Sequence, residues 1–109
     1  MVVVTFRRDS RQRLSSVVAS GHAQSGEPGE DVVCAAVSAL LQATWVGLTD
    51  VARVPVSGRR TSGDFTLRWP EAERERIDVG AIVATAEIAV EQIAKQNPHF
   101  IRFAREVEP

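Results

Sequence analysis

One cysteine and two histidines carry most of the chemistry open to this chain. Cys34 stands at the head of the best helical pattern, Asp31-Val32-Val33-Cys34-Ala35-Ala36-Val37-Ser38-Ala39-Leu40. Asp31 is a good N-cap, because its carboxylate can accept a hydrogen bond from an N–H of the first turn. That cap puts Cys34 at about the third helical position, where unpaired N–H groups and the positive end of the helix dipole favour thiolate over thiol. The same donors could hold an oxyanion on a substrate carbonyl. A cysteine nucleophile needs a base from elsewhere in the fold. His22 follows a strand-like segment and opens the loop that leads to the helix, so it can fold back toward Cys34. Asp31 could orient His22 or cap the helix; left unpaired beside the thiol, it would raise the thiol pKa. Ser38 lies one turn beyond Cys34 on roughly the same face. It could orient the histidine or a water, or bond back to the carbonyl four residues earlier. His99 is a weaker second base, since no helix start or loop of catalytic character adjoins it.

Elements to position these residues can be read from periodicity. Residues 2–8 and 13–21 read as strands joined by the turn Asp9-Ser10-Arg11-Gln12. Residues 22–30 form a loop, because Gly26, Pro28 and Gly29 forbid a regular element. Glu27, Glu30 and Asp31 make it acidic, and its position between the two candidate catalytic residues suggests a lid. The first helix spans 31–52, with Val33, Ala36, Val37, Leu40, Leu41, Thr44, Leu48 and Val51 on its apolar stripe. Strands at 53–58 and 64–69 flank a turn cluster at 57–63. A second helix carries Val79, Ile82, Val83, Ala86, Val90 and Ile93, and Asn97-Pro98 stops it. A last strand covers 99–107. The order ββαββαβ predicts one α+β domain over 1–109, with two helices packed on a mostly antiparallel sheet.

Composition narrows the classes. The 109 residues are 44% hydrophobic, enough for a globular core. A net charge of -1 argues against general nucleic-acid binding. Arg7, Arg8, Arg11 and Arg13 cluster at the tip of the first hairpin, as a solvated end or as a contact for ribosomal RNA or an acidic partner. One cysteine allows no internal disulfide, which fits a reducing cytoplasm. The apolar start, Met1 to Phe6, is short and has its arginines after it rather than before, unlike a signal peptide. No apolar run comes near the roughly 20 residues of a membrane span. No metal or cofactor is expected: one cysteine and two histidines fall short of a zinc set, and there is no Gly-rich phosphate loop.

The pattern Gly21-His22-Ala23, a short loop, Gly29-Glu30-Asp31, and Val33-Cys34-Ala35-Ala36-Val37-Ser38-Ala39-Leu40 resembles the ribosomal-processing cysteine protease (Prp) family. The resemblance covers the chain and is most specific between His22 and Leu40. It implies a small cytoplasmic α+β homodimer that removes a short N-terminal extension from a protein of the large ribosomal subunit, cutting after an aromatic residue. By the same resemblance His22 is the base and Cys34 the nucleophile, with Asp31 and Ser38 at further positions of the family pattern. The N-terminal segment of that ribosomal protein is the expected partner, with no membrane and no direct nucleic-acid contact. The alternative is a non-catalytic dimeric peptide-binding module or ribosome-assembly factor, in which Cys34 only packs. A thiol redox sensor would need a resolving cysteine from another molecule.

Overall fold

The structure, a computed structural model, describes residues 1–21 and 29–109. The expected lid therefore lies, apart from Gly29 and Glu30, outside the described residues. Val2, Val4 and Phe6 alternate with Val3, Thr5 and Arg7, and β1 (Val2–Arg8) buries the first set. β2 (Leu14–Ser20) returns antiparallel, with Phe6 opposite Val17 and Val4 opposite Ala19. In the turn between them Gln12 takes a left-handed φ of 66°, and the Asp9 carboxylate accepts N–H bonds from Arg11 and Arg13.

α1 (Glu30–Val46) follows and runs on into one wider π-type turn, Gly47–Val51. Val33, Val37, Leu41, Thr44 and Leu48 lie on its buried face, whereas Ala36 and Val51 of the expected stripe are exposed. By length and composition alone, Glu30–Val51 is apolar enough to cross a membrane, against the expectation that no run is. Its alanines raise the apolar content without adding bulk. Here one face is part of the protein core.

The next segment departs from the reading of the sequence. Residues 53–56 are not a strand; Val54 is buried in a connection, and β3 (Ser57–Thr61) occupies most of the expected turn cluster. β3 is exposed along its length and sits at a sheet edge, so backbone pairing to β4 (Asp64–Arg68) holds it. No side-chain alternation is needed at such an edge. α2 (Ile77–Gln96) then crosses back, and β5 (Ile101–Val107) pairs parallel with β1. The sheet order β3-β4-β2-β1-β5 has one parallel and three antiparallel pairings. Both helices cover one face, and a single apolar cluster with Phe6, Leu67 and Trp69 at its centre fills the layer between. The Trp69 indole N–H donates to the Leu14 carbonyl at 2.7 Å, so the buried ring leaves no orphan donor.

The four hairpin arginines are neither bare nor merely solvated. Arg7 pairs with Glu106 at 2.6 Å and Arg8 with the buried Glu87 at 2.7 Å. Arg11 reaches Glu75 at 3.4 Å, and Arg13 holds Asp9 and Glu71, each at 3.0 Å. Their charge is spent within the fold, which weakens the ribosomal-RNA reading. Burial alone would raise the Asp9 carboxyl. The N–H of Arg13, the Arg74 guanidinium and the N–H of Arg11 outweigh it and hold the pKa at about 2, below its ordinary 3.8. A carboxyl depressed on folding stabilises the protein above its unfolded pKa, and that stabilisation fades as pH falls toward the folded value. Denaturant midpoints followed from pH 4 down to pH 2 should therefore fall less steeply in Asp9→Asn than in the parent; parallel curves would contradict this.

Candidate active site

The site begins where α1 begins. Gly29 takes a left-handed φ of 92° and serves as the N-cap, with no side-chain cap. Asp31 is thus not the cap: it is exposed at the second helical position, still in the first turn where a carboxylate suits the dipole. Cys34 is consequently the fifth helical residue, not the third. Among the described residues the first turn bond runs from the Val33 N–H to the Gly29 carbonyl at 3.2 Å. A helical Cβ tilts toward the N-terminus, so the Cys34 side chain still leans back over that turn.

Cys34 is half-buried and lines a groove of about 580 Å³. Val2, Ala19, Val37, Leu41 and Phe65 give it an apolar lining, and the tip of the β3–β4 hairpin, residues 61–64, forms its far wall. Ser38 lines the same groove. Its hydroxyl accepts from the Gln42 amide at 2.9 Å, and among the described residues it makes no bond back to the Cys34 carbonyl. Beyond Gln42 the groove adjoins a second lobe of about 410 Å³ lined by Gln42, Trp45, Val46 and Arg60.

His22 lies outside the described residues. Its neighbour Gly21 does line the groove, and the Gly21 N–H donates to the Gly63 carbonyl at 2.9 Å. Gly21 thus stands at the groove's rim. His99 is exposed in the turn before β5 and does not line the groove. The ring of its neighbour Phe100 lies 3.7 Å from where a Cβ on Gly29 would stand.

Three features of the site escaped sequence reading. The hairpin wall was hidden because β3 has no strand-like pattern. Arg60 had no local signal. Gly58 is required because a Cβ there would come within 2.6 Å of the Trp45 ring, which packs edge-on to Phe65 at 5.9 Å between centroids.

The sequence and the fold both have counterparts. The sequence pattern of the family described as Cysteine protease Prp matches residues 1–102. The ribosomal processing cysteine protease Prp of Staphylococcus aureus is 27% identical over 105 residues, spanning 94% of this chain and 96% of its own. A crystal structure of Prp from S. aureus with a covalently linked product peptide superposes with a TM-score of 0.83 at 22% identity, covering 96% of this chain and 99% of that one. A crystal structure of a Streptococcus mutans protein gives a TM-score of 0.83 at 27% identity, covering 99% and 96%. Matched over residues 1–102 by that pattern, the chain belongs to the Prp family and is a cysteine protease.

Proposed function

We propose that this protein removes the N-terminal extension of a large-subunit ribosomal protein, cutting after an aromatic residue with Cys34 as nucleophile and His22 as base. The observation that carries this reading is the placement of Cys34 on the wall of the apolar groove, beside the start of α1. In this mechanism the Cys34 thiolate attacks the scissile carbonyl, and N–H groups at the start of α1 hold the oxyanion. Protonated His22 gives its proton to the leaving amine. Water, deprotonated by His22, then cleaves the thioester. Asp31 and Ser38 support the pair, Asp31 from the exposed first turn and Ser38 from within the groove. The S. aureus Prp has been captured with a covalently linked product peptide, which supports a covalent step.

The reading includes a cytoplasmic homodimer. Val32, Ala36, Ala39 and Ala43 repeat along the exposed side of α1 in steps of four, three and four, a seam suited to the same helix of a second copy. Light scattering should report twice the chain mass of 11.9 kDa; a monomer at micromolar concentration would contradict it.

Cleavage is tested with a synthetic peptide of the ribosomal protein's N-terminus from the same genome. Products of the parent, Cys34→Ser, His22→Ala and His99→Ala are identified by mass spectrometry. One cut after an aromatic residue, absent in the first two variants and present in the third, is the expected result. Binding without any cut would return the groove to the role of a peptide holder.

A further inference from the structure

The groove extends well past the thiol, and its charge is not neutral along its length. Gly58 of β3 lies under Trp45, while the hairpin tip at residues 61–63 faces the Cys34 end. Arg60 stands between them and lines both lobes. The register pairs Arg60 with Phe65, whose ring is buried on the helix-covered face. Side chains alternate along a strand, so Arg60 shares that face and Arg59 lies on the open one.

Of the four arginines that hold no carboxylate among the described residues, Arg53, Arg59, Arg60 and Arg102, only Arg60 lines the groove. Arg7, Arg8, Arg11, Arg13, Arg68, Arg74, Arg76 and Arg105 all hold carboxylates. Arg60 holds none among the described residues and is exposed. Asp64, the carboxylate that lines the groove, lies at the hairpin tip and is not paired with it. A second lobe lined by the Gln42 amide, the Trp45 ring and Val46, with one unpaired guanidinium at its threshold, fits an extended peptide that brings an anion to that point. From Cys34 to Gln42, which faces Arg60 across the junction, is about 12 Å along the helix. That spans three or four residues of extended peptide at about 3.3 Å each.

We propose that Arg60 is a specificity determinant, selecting substrates with an Asp or Glu three or four residues from the scissile carbonyl. This rests on the protease reading of the groove. The anchor is a charge-assisted hydrogen bond at a partly desolvated rim, with an expected preference of about tenfold for an acid over a base.

The test uses synthetic peptides with one Phe-Ala cleavage site in a Gly, Ser and Asn background. A single Glu or Lys is placed three or four residues from the cut, on either side. Values of kcat/KM are compared for the parent, Arg60→Gln and Arg60→Glu. The parent should favour Glu over Lys on one side, with the difference carried by KM. Arg60→Gln should level it and Arg60→Glu should invert it. An identical Glu-to-Lys ratio in the parent and Arg60→Glu overturns the proposal. Fluorescence anisotropy of the same peptides with Cys34→Ser, alone and combined with Arg60→Glu, reads the charge preference without turnover. Failure of the cleavage reading would show separately, as no Cys34-dependent product from any peptide.

Discussion

Cys34→Ser is expected to lower kcat by a factor on the order of 10⁴ or more while leaving peptide affinity within about threefold, since it removes the nucleophile and little else. Serine and cysteine differ by one atom, and the groove wall around position 34 is built by alanines and by core residues such as Val37 and Leu41. Shape and apolar contact are therefore kept. What is lost is the thiolate: a serine hydroxyl ionises far less readily, and no strong base adjoins it if His22 is tuned to a thiol. His22→Ala should fall nearly as far, because the remaining thiol has no partner to take its proton or to protonate the leaving amine. His99→Ala should keep turnover near that of the parent, as its side chain stands away from the groove lining. Single-turnover cleavage and anisotropy with the same peptide measure both quantities. Turnover above a tenth of the parent in Cys34→Ser would make Cys34 a packing residue, and equal losses in the two histidine variants would reopen the choice of base.

Gly21→Ala is expected to cost about 3 kcal/mol of stability, combining a left-handed backbone with a backbone clash. Gly21 has a φ of 90°, and a Cβ there would stand 2.2 Å from the Met1 carbonyl oxygen. That contact is with backbone at the start of β1, so it cannot be relieved by turning a side chain. Relief requires β1 or Gly21 to move, and Gly21 is tied to Gly63 across the groove rim. His22, the proposed base, is the next residue in the chain, so a displaced Gly21 should disturb catalysis as well as stability. A shift of about 1 Å there is enough for roughly a hundredfold loss of kcat/KM. Gly29→Ala is the internal control. Its φ of 92° is equally left-handed, but among the described residues the nearest group to its Cβ is the Phe100 ring at 3.7 Å. It should show only the conformational part, about 1 kcal/mol. Urea unfolding with kcat/KM on the same samples checks both, and equal effects of the two substitutions would refute the clash argument.

Much of the molecule was legible because its signals are local. The β-branched run over residues 2–8 marked β1, and the spacing of Val33, Val37, Leu41 and Leu48 marked the buried face of α1. Order, approximate length and fold class followed, as did the joint placement of Cys34 and Ser38, which needs only the helical period. Where several weak local signals compete, reading failed. Asp31 has the right chemistry for an N-cap, yet Gly29 is the cap and the helix starts at Glu30. A glycine that reaches a left-handed conformation at no steric cost can begin a helix without a side-chain acceptor. β3 was read as a turn because Ser57-Gly58-Arg59-Arg60-Thr61 has turn composition and no apolar face. An edge strand is held by its neighbour's backbone, and that neighbour is supplied by the fold.

By itself, then, the sequence determined the elements, the family and the identity of the thiol, since each depends on residues close together in the chain. The tertiary structure alone decided what stands opposite that thiol. Thr61, Asp64 and Phe65 reach the groove because β4 pairs with β2, and Arg60 faces it because its register with Phe65 selects the helix-covered side. The fate of the hairpin arginines was decided in the same way, by Glu71, Glu87 and Glu106 arriving from distant segments. Ion pairs and strand registers couple residues far apart in sequence, so their outcome is set only when the sheet has assembled and the helices have closed over it.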